Sequence, residues 1–338
     1  MAPDSARPVC PRDRSRLEPD LDRLHCPICD ASYPVIVGIP SFLFDALNSE
    51  DRDLLKQLIE MYPSAEFEDM VLALIGTKRI SESQRRRFVD YVLEASARGD
   101  RFQQMFRRRL QEAGWVVPSR RIAIDVGCGL GAGLKPLSQA YDHVVGVDVK
   151  ITSLIIAKKL VESAGLNNVT LVHASAFALP FADGVFDYAT AVNVLEHVFH
   201  PDQVLREISR ALSDGGVLSG DSRNRFDLFF REPHVQLRWV GFLPRRWMAP
   251  YVRRRIGHEY DHTHLLSYRE LNRALSSAFG RDWRIVMPLA EAYGFSARLG
   301  RWVESLSGSP LAGILAWFAP THIVIARKTA AQTSTAAA

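Results

Sequence analysis

The segment RIAIDVGCGLGAG, residues 121–133, constrains this chain more than any other. A short β-favouring run ends in a loop with glycines at 127, 129, 131 and 133. Such a loop at the carboxyl end of a strand lets the backbone approach a ligand closely, and the helix after it offers unpaired N–H groups. The pattern predicts a nucleotide-type pocket. The chain around it alternates in the same sense. Strands are expected at 121–126, 143–149, 168–174, 186–192 and 215–221, with helices near 132–140, 152–164 and 202–212. Apolar strands separated by helices of 10 to 15 residues imply a parallel sheet covered on both faces, a doubly wound α/β domain. A helix at SYRELNRALSSAF, opened by a Ser267 to Glu270 capping box, and strands at WRIVMPL and HIVIARK follow.

Two ligands compete for the loop. Gly127, Gly129 and Ala132 satisfy the relaxed dinucleotide fingerprint. Asp125, directly before the loop, would repel a pyrophosphate but suits a ligand with a cationic amino acid group, such as S-adenosylmethionine. Asp148, at the end of the second strand, is placed to accept hydrogen bonds from ribose hydroxyls. Beyond it runs ASAFALPFADGVFDYATAVNVLEHVFHPDQVLREISRALSDGG, residues 174–216. With these motifs in this order, residues 120–220 resemble the class I S-adenosylmethionine-dependent methyltransferases, the type 11 branch typified by ubiquinone and menaquinone biosynthesis enzymes. HIVIARK adds a weaker likeness. The resemblance implies a Rossmann-like seven-stranded sheet of order 3-2-1-4-5-7-6 with the last strand antiparallel. It also implies a donor site in which Asp125, Gly127, Gly129 and Gly131 cradle the methionine portion and Asp148 holds the ribose. Ser175 and Ala176 would contact adenine, and Asn193 would line the methyl-transfer side. Ser175 departs from the aspartate common in the family, so a hydroxyl or a backbone carbonyl would serve the adenine amino group.

Methyl transfer from a sulfonium is an in-line displacement, so the protein chiefly aligns the reactants and excludes water. A hydroxyl or carbon-acid acceptor also needs a general base. The candidates are His197 in LEHV, then His234 with Glu232 in REPH, then the group His258, Glu259, Tyr260, His262 and His264. HEYDH, residues 258–262, matches the H-E-x-x-H zinc-protease pattern, but that pattern works only on a regular helix. Gly257 before it and DHTH, residues 261–264, running on from its end are poor helix material. The segment is expected as a loop near the acceptor pocket or on the surface.

Three of the four cysteines stand near the N-terminus. Cys10 and Asp13, then Cys26 and Cys29, have the spacing of two knuckles around one tetrahedral Zn²⁺, with a carboxylate in place of the fourth thiolate and His25 as a substitute ligand. The following YPVIVGIPSFL resembles the zinc-ribbon family that activates tRNA methyltransferases, which implies a zinc-ribbon-like module over residues 9–44. Residues 45–118 read as a small helical cover with arginine on its polar faces and Pro118 as a stop. Residues 119–328 hold the methyltransferase-like region. The polar ends, 1–8 and 329–338, are expected to be disordered.

The formal charge is only +4, from 42 basic and 38 acidic residues, so net charge points to no partner. Distribution does. Residues 223–255 carry nine arginines interleaved with Phe226, Phe229, Phe230, Trp239, Phe242, Trp247 and Tyr251. Arginine favours phosphates and carboxylates, and aromatic rings favour bases, sugars or a lipid interface. The stretch 223–265 is therefore expected to form a substrate lid. It would suit a small-molecule, anionic glycan or lipid-linked acceptor, a peripheral membrane-surface contact, or RNA stacked on aromatics. A solvated face of amphipathic helices is the plain alternative. The leading function is methyl transfer to oxygen or carbon of such an acceptor. RNA methylation and a catalytically silent scaffold are the alternatives. Four cysteines are too few for a disulfide scaffold, and MAPDSARPVC has no apolar region after a basic start, so the chain is expected in the cytoplasm. The longest apolar stretch, PLAGILAWFAPTHIVIA, is interrupted by Pro310 and Pro320 and makes a poor membrane span.

Overall fold

A computed structural model describes residues 3–43, 47–76, 82–118, 121–257, 259–260, 263–286 and 316–329. The chain begins with strands β1 (Glu18–Asp20), β2 (Arg23–His25), β3 (Ser32–Ile36) and β4 (Ile39–Pro40), which form one antiparallel sheet in that order. Helices α1 (Ser49–Met61), α2 (Phe67–Gly76), α3 (Glu82–Leu93) and α4 (Ala95–Ala113) follow, and Asn48 caps the first by accepting from the Asp51 N–H at 2.8 Å.

The remaining elements alternate: β5 (Ile122–Val126), α5 (Leu134–Ser138), β6 (His143–Asp148), α6 (Ile151–Ser163), β7 (Val169–His173), β8 (Phe186–Ala191), α7 (Pro201–Ala211), β9 (Leu212–Arg223), α8 (Arg245–Ile256), α9 (Tyr268–Phe279), β10 (Trp283–Val286) and β11 (Thr321–Arg327). Seven strands make one mixed sheet in the order β10-β11-β9-β8-β5-β6-β7. Numbered from β5 this is the expected 3-2-1-4-5-7-6. β5, β6 and β7 pair in parallel, while β11 runs antiparallel to both β9 and β10. This is the class I methyltransferase fold. Every residue of β5 and β8 is buried, as strands covered on both faces require. The capping box of α9 is present in full.

Two departures from expectation and one feature on which the sequence bore no expectation stand out. Residues 4–6, assigned to a disordered tail, form a 3-10 turn that buries Ala6. β9 starts at Leu212, directly after α7, and ends at Arg223; its partner β11 extends it, pairing from Arg327 opposite Val217 to Thr321 opposite Arg223. The N-terminal sheet is joined to the edge of β7. Ser41 bridges His173 in parallel, and Phe42 N–H donates to His173 O at 2.9 Å.

The chain divides into two compact units. The first holds Met1–Gln104, Val117–Ala189 and Arg210–Asp214; the second holds Met105–Val116, Thr190–Ser209 and Gly215–Ala338. β8 begins in the first and ends in the second.

Candidate functional site

In the first unit, β5 delivers its last residues into the glycine loop. Gly127, Gly129 and Gly131 all have positive φ, at 73°, 53° and 91°, which explains why side-chain-free residues alternate there. Asp125 is buried beneath the loop, and a Cβ on Gly133 would sit 2.6 Å from its Oδ2. The loop is tied to the next strand: Gly127 and Cys128 N–H both donate to Val147 O, at 2.7 and 3.0 Å. Gly129 N–H donates to Asp148 Oδ2 at 2.8 Å, and Lys150 N–H to Oδ1 at 2.8 Å. Burial pushes the Asp148 carboxyl up, against the opposing pull of those two N–H donors. The carboxylate is thus fixed by backbone, with lone pairs left to accept from a diol.

Ser175 is half-buried, and its Oγ accepts from Phe177 N–H at 3.2 Å. A serine here makes the turn that an aspartate would make, and its O–H remains to donate. Ala176 sits beside it, also half-buried.

In the second unit, Asn193 follows β8 at φ 53°, an uncommon conformation for a residue with a side chain, and its N–H donates to Asp221 Oδ1 at 2.7 Å. A 3-10 turn, Leu195–His197, then presents His197. The His197 and His234 rings meet edge to face with centroids 5.1 Å apart. His234 Nδ1 lies 2.5 Å from Glu232 Oε1, while Glu232 Oε2 accepts from Val235 N–H at 2.8 Å. A carboxylate at Nδ1 selects the tautomer with its lone pair on Nε2, the form a general base needs. The two histidines expected to be catalytic are therefore neighbours. Glu232 also lines a small recess open to solvent, with Arg223, Arg225, Asp227, Phe230 and Trp239.

The HEYDH residues divide. His258 and His262 lie outside the described residues. Glu259 is exposed and pairs with Arg253 at 3.8 Å. Tyr260 is buried in an apolar group with Val235, Val240, Met248, Val252 and Leu265. His264 packs at a tilt against Phe199, ring centroids 5.7 Å apart, and burial lowers its pKa.

The N-terminal ligand set is assembled. One donor atom from each of Cys10, Asp13, Cys26 and Cys29 lies within 4.8 Å of the others. Cys10 Sγ and Cys29 Sγ are 3.6 Å apart, and Cys26 Sγ is 3.3 Å from Asp13 Oδ2. A tetrahedron with Zn–S bonds of 2.3 Å has sulfur–sulfur edges of about 3.8 Å. Ser15 holds Asp13 Oδ1 through its N–H at 2.9 Å and its O–H at 2.6 Å, which leaves Oδ2 turned to the thiols. The donor set fits one Zn²⁺. His25 is not part of it; its Nε2 faces Asp30 at 3.7 Å.

Four features escaped the sequence reading. His173 is fully buried, with Nδ1 on Ser41 Oγ at 2.7 Å and Nε2 on Val149 O at 3.0 Å. Cys128 has a packing role, since a Cβ on Gly146 would meet its Sγ at 3.0 Å. Glu196 is fully buried, and burial together with the Asp221 carboxylate raises it to about 8. His322 is fully buried with neither ring nitrogen bonded, and burial lowers it to about 3. A polar residue inside an apolar strand, such as the histidine of HIVIA, was the available signal.

Comparison with known proteins finds similarity in the same stretch of chain as the glycine loop. Residues 124–219 match the family described as "Methyltransferase domain". That segment runs from within β5 into β9 of the seven-stranded sheet, whose strand order is that of the class I methyltransferase fold. Among curated relatives, demethylmenaquinone methyltransferase of Shouchella clausii (strain KSM-K16) is 38% identical over 99 residues, covering 28% of this chain and 42% of that protein. The enzyme of the same name from Listeria monocytogenes serovar 1/2a is 43% identical over 99 residues, with the same coverage. This chain thus spans under half the length of the curated relatives it matches. Geranyl diphosphate C-methyltransferase from Streptomyces coelicolor A3(2) aligns with 69% of this chain and 76% of its own, at 17% identity and TM-score 0.43. Among the described residues, no helix is long and apolar enough to cross a membrane.

Proposed function

We propose that this chain transfers a methyl group from S-adenosylmethionine to oxygen or carbon of a small anionic acceptor, a class that includes glycans and lipid-linked intermediates. The observation that carries the reading is the hydrogen bond from Gly129 N–H to Asp148 Oδ2, which fixes the ribose acid against the glycine loop inside the matched segment. Asp125, Gly127, Gly129 and Gly131 would hold the methionine portion, Asp148 the ribose, Ser175 and Ala176 the adenine. Asn193 would border the methyl. The donor supplies an electrophilic methyl on a sulfonium. His234 Nε2 takes the acceptor proton; Glu232 keeps the ring in the basic tautomer and balances the charge it gains. His197 packs on that ring as a positioning residue. Arginines and aromatics of the 223–265 lid favour an anionic acceptor with an apolar part.

Incubating the chain with S-adenosylmethionine labelled in its methyl group and with separated lipid, polysaccharide and RNA fractions should label lipid or polysaccharide. Label in RNA alone would overturn the acceptor class, and no label in any fraction would contradict the activity. The ribbon residues Cys10, Asp13, Cys26 and Cys29 are assigned to one structural zinc. Metal analysis should find one equivalent, lost in Cys26→Ser; a full-length chain free of zinc after metal-replete expression would refute the assignment.

A further inference from the structure

Five of the seven exposed Phe and Trp side chains among the described residues lie between 229 and 247: Phe229, Phe230, Trp239, Phe242 and Trp247. Exposed aromatics scattered singly are ordinary, whereas aromatics gathered on one segment mark an interaction surface. Trp239 is the most telling. It is 57% exposed and held at φ 60°, a left-handed conformation uncommon for a bulky side chain. It leads into the 3-10 turn Val240–Phe242, where Arg225 fixes the backbone by donating to Gly241 O at 2.8 Å and Leu243 O at 3.0 Å. The aromatic edge is therefore built on a braced turn.

The adjoining helix α8 adds charge in register. Met248 and Val252 face the small apolar group formed with Val235, Val240 and Leu265. On the opposite side, Arg246, Pro250 and Arg254 recur every fourth residue, flanked by Trp247 and Arg253, and all five are exposed. Arg246 lies over the Trp247 ring at 5.6 Å. Neighbouring exposed side chains are aliphatic as well: Leu228 at 44% and Ile256 at 38%. Aliphatic groups gain from an acyl interface and gain nothing from stacking on bases, which favours lipid over single-stranded RNA. Tryptophan and arginine together are the side chains that a headgroup layer takes up best.

We infer that the braced turn 239–242 and the outer face of α8 form a docking surface for an anionic lipid bilayer, which Trp239, Phe242 and Trp247 enter while Arg246, Arg253 and Arg254 meet the phosphates. The surface does not depend on the reaction assigned above. Its test is sedimentation of the full chain with vesicles of equimolar phosphatidylglycerol and phosphatidylcholine, beside vesicles of phosphatidylcholine alone. The chain should bind the anionic vesicles, with a blue shift of tryptophan emission and release by salt. Trp239→Ser with Trp247→Ser, and separately Arg246→Glu with Arg254→Glu, should each weaken binding about ten-fold or more. Arg281→Glu, an exposed charge on another element, should not. The arginine pair keeps the test valid if the tryptophan pair fails to fold. Equal binding to both vesicle types, wild-type binding by the arginine pair, or retention on a single-stranded RNA column but not on vesicles would overturn the inference.

Discussion

The proposed donor side in the first unit and the proposed acceptor side in the second are built on opposite rules. Around the glycine loop, specificity is carried by backbone: Gly129 and Lys150 N–H groups hold Asp148, and the loop itself hangs on Val147 O. Around His234, it is carried by side chains: Glu232 on His234, His234 against His197, and arginines among aromatics. Backbone geometry needs a strict local pattern and survives in sequence as a motif. Side-chain constellations drawn from separate segments leave no such trace, so one half of the molecule can keep a common ligand while the other changes its substrate.

That contrast can be broken first at the base. His234→Ala should lower kcat by roughly 10² to 10⁴ with S-adenosylmethionine affinity unchanged, measured by turnover and calorimetry. Glu232→Gln should lower kcat less, because the amide can still hold the ring but no longer places a carboxylate against Nδ1. Equal loss of donor affinity in either variant would mean that the two halves are not separable.

A smaller effect separates the two sides of the second unit by pH. His322 is held neutral by burial, to about 3, so it contributes stability above the ordinary imidazole value that is lost as pH falls from about 6.5 toward 3. Glu196, raised to about 8 by burial and by Asp221, acts oppositely: stability is full below the ordinary carboxyl value and declines as pH rises toward 8. His322→Phe should flatten the acid side of a Tm-against-pH curve, removing up to about 5 kcal/mol of dependence. Glu196→Gln should flatten the neutral-to-alkaline side. The smallest effect lies on the donor side. Ser41→Ala leaves buried His173 Nδ1 without its partner and should cost about 1 to 2 kcal/mol in denaturant unfolding.

What was legible in the sequence follows the same division. β5, its loop and the position of Asp148 could be placed because apolar strand, glycine spacing and acid lie within 30 residues. The strand order followed from family resemblance, and the clustering of Cys10, Asp13, Cys26 and Cys29 from knuckle spacing. The length of β9 was hidden, since β11, about a hundred residues later, determines it. The Ser41–His173 contact was hidden for the same reason, spanning 132 positions. Ala6 was misjudged because polarity of the flanking residues outweighed the one small side chain that finds a buried place. In REPH the carboxylate and ring were both noticed, but only the fold shows that the backbone turn brings Glu232 Oε1 onto Nδ1 rather than into solvent.

The most direct measurement is isothermal calorimetry of S-adenosylmethionine with the wild-type chain and with Asp148→Ala. One site is expected in the wild type, and affinity at least about 30-fold weaker in the variant, from the loss of charge-assisted hydrogen bonds to two hydroxyls. No binding by the folded wild type, or undiminished binding by Asp148→Ala, would contradict this expectation.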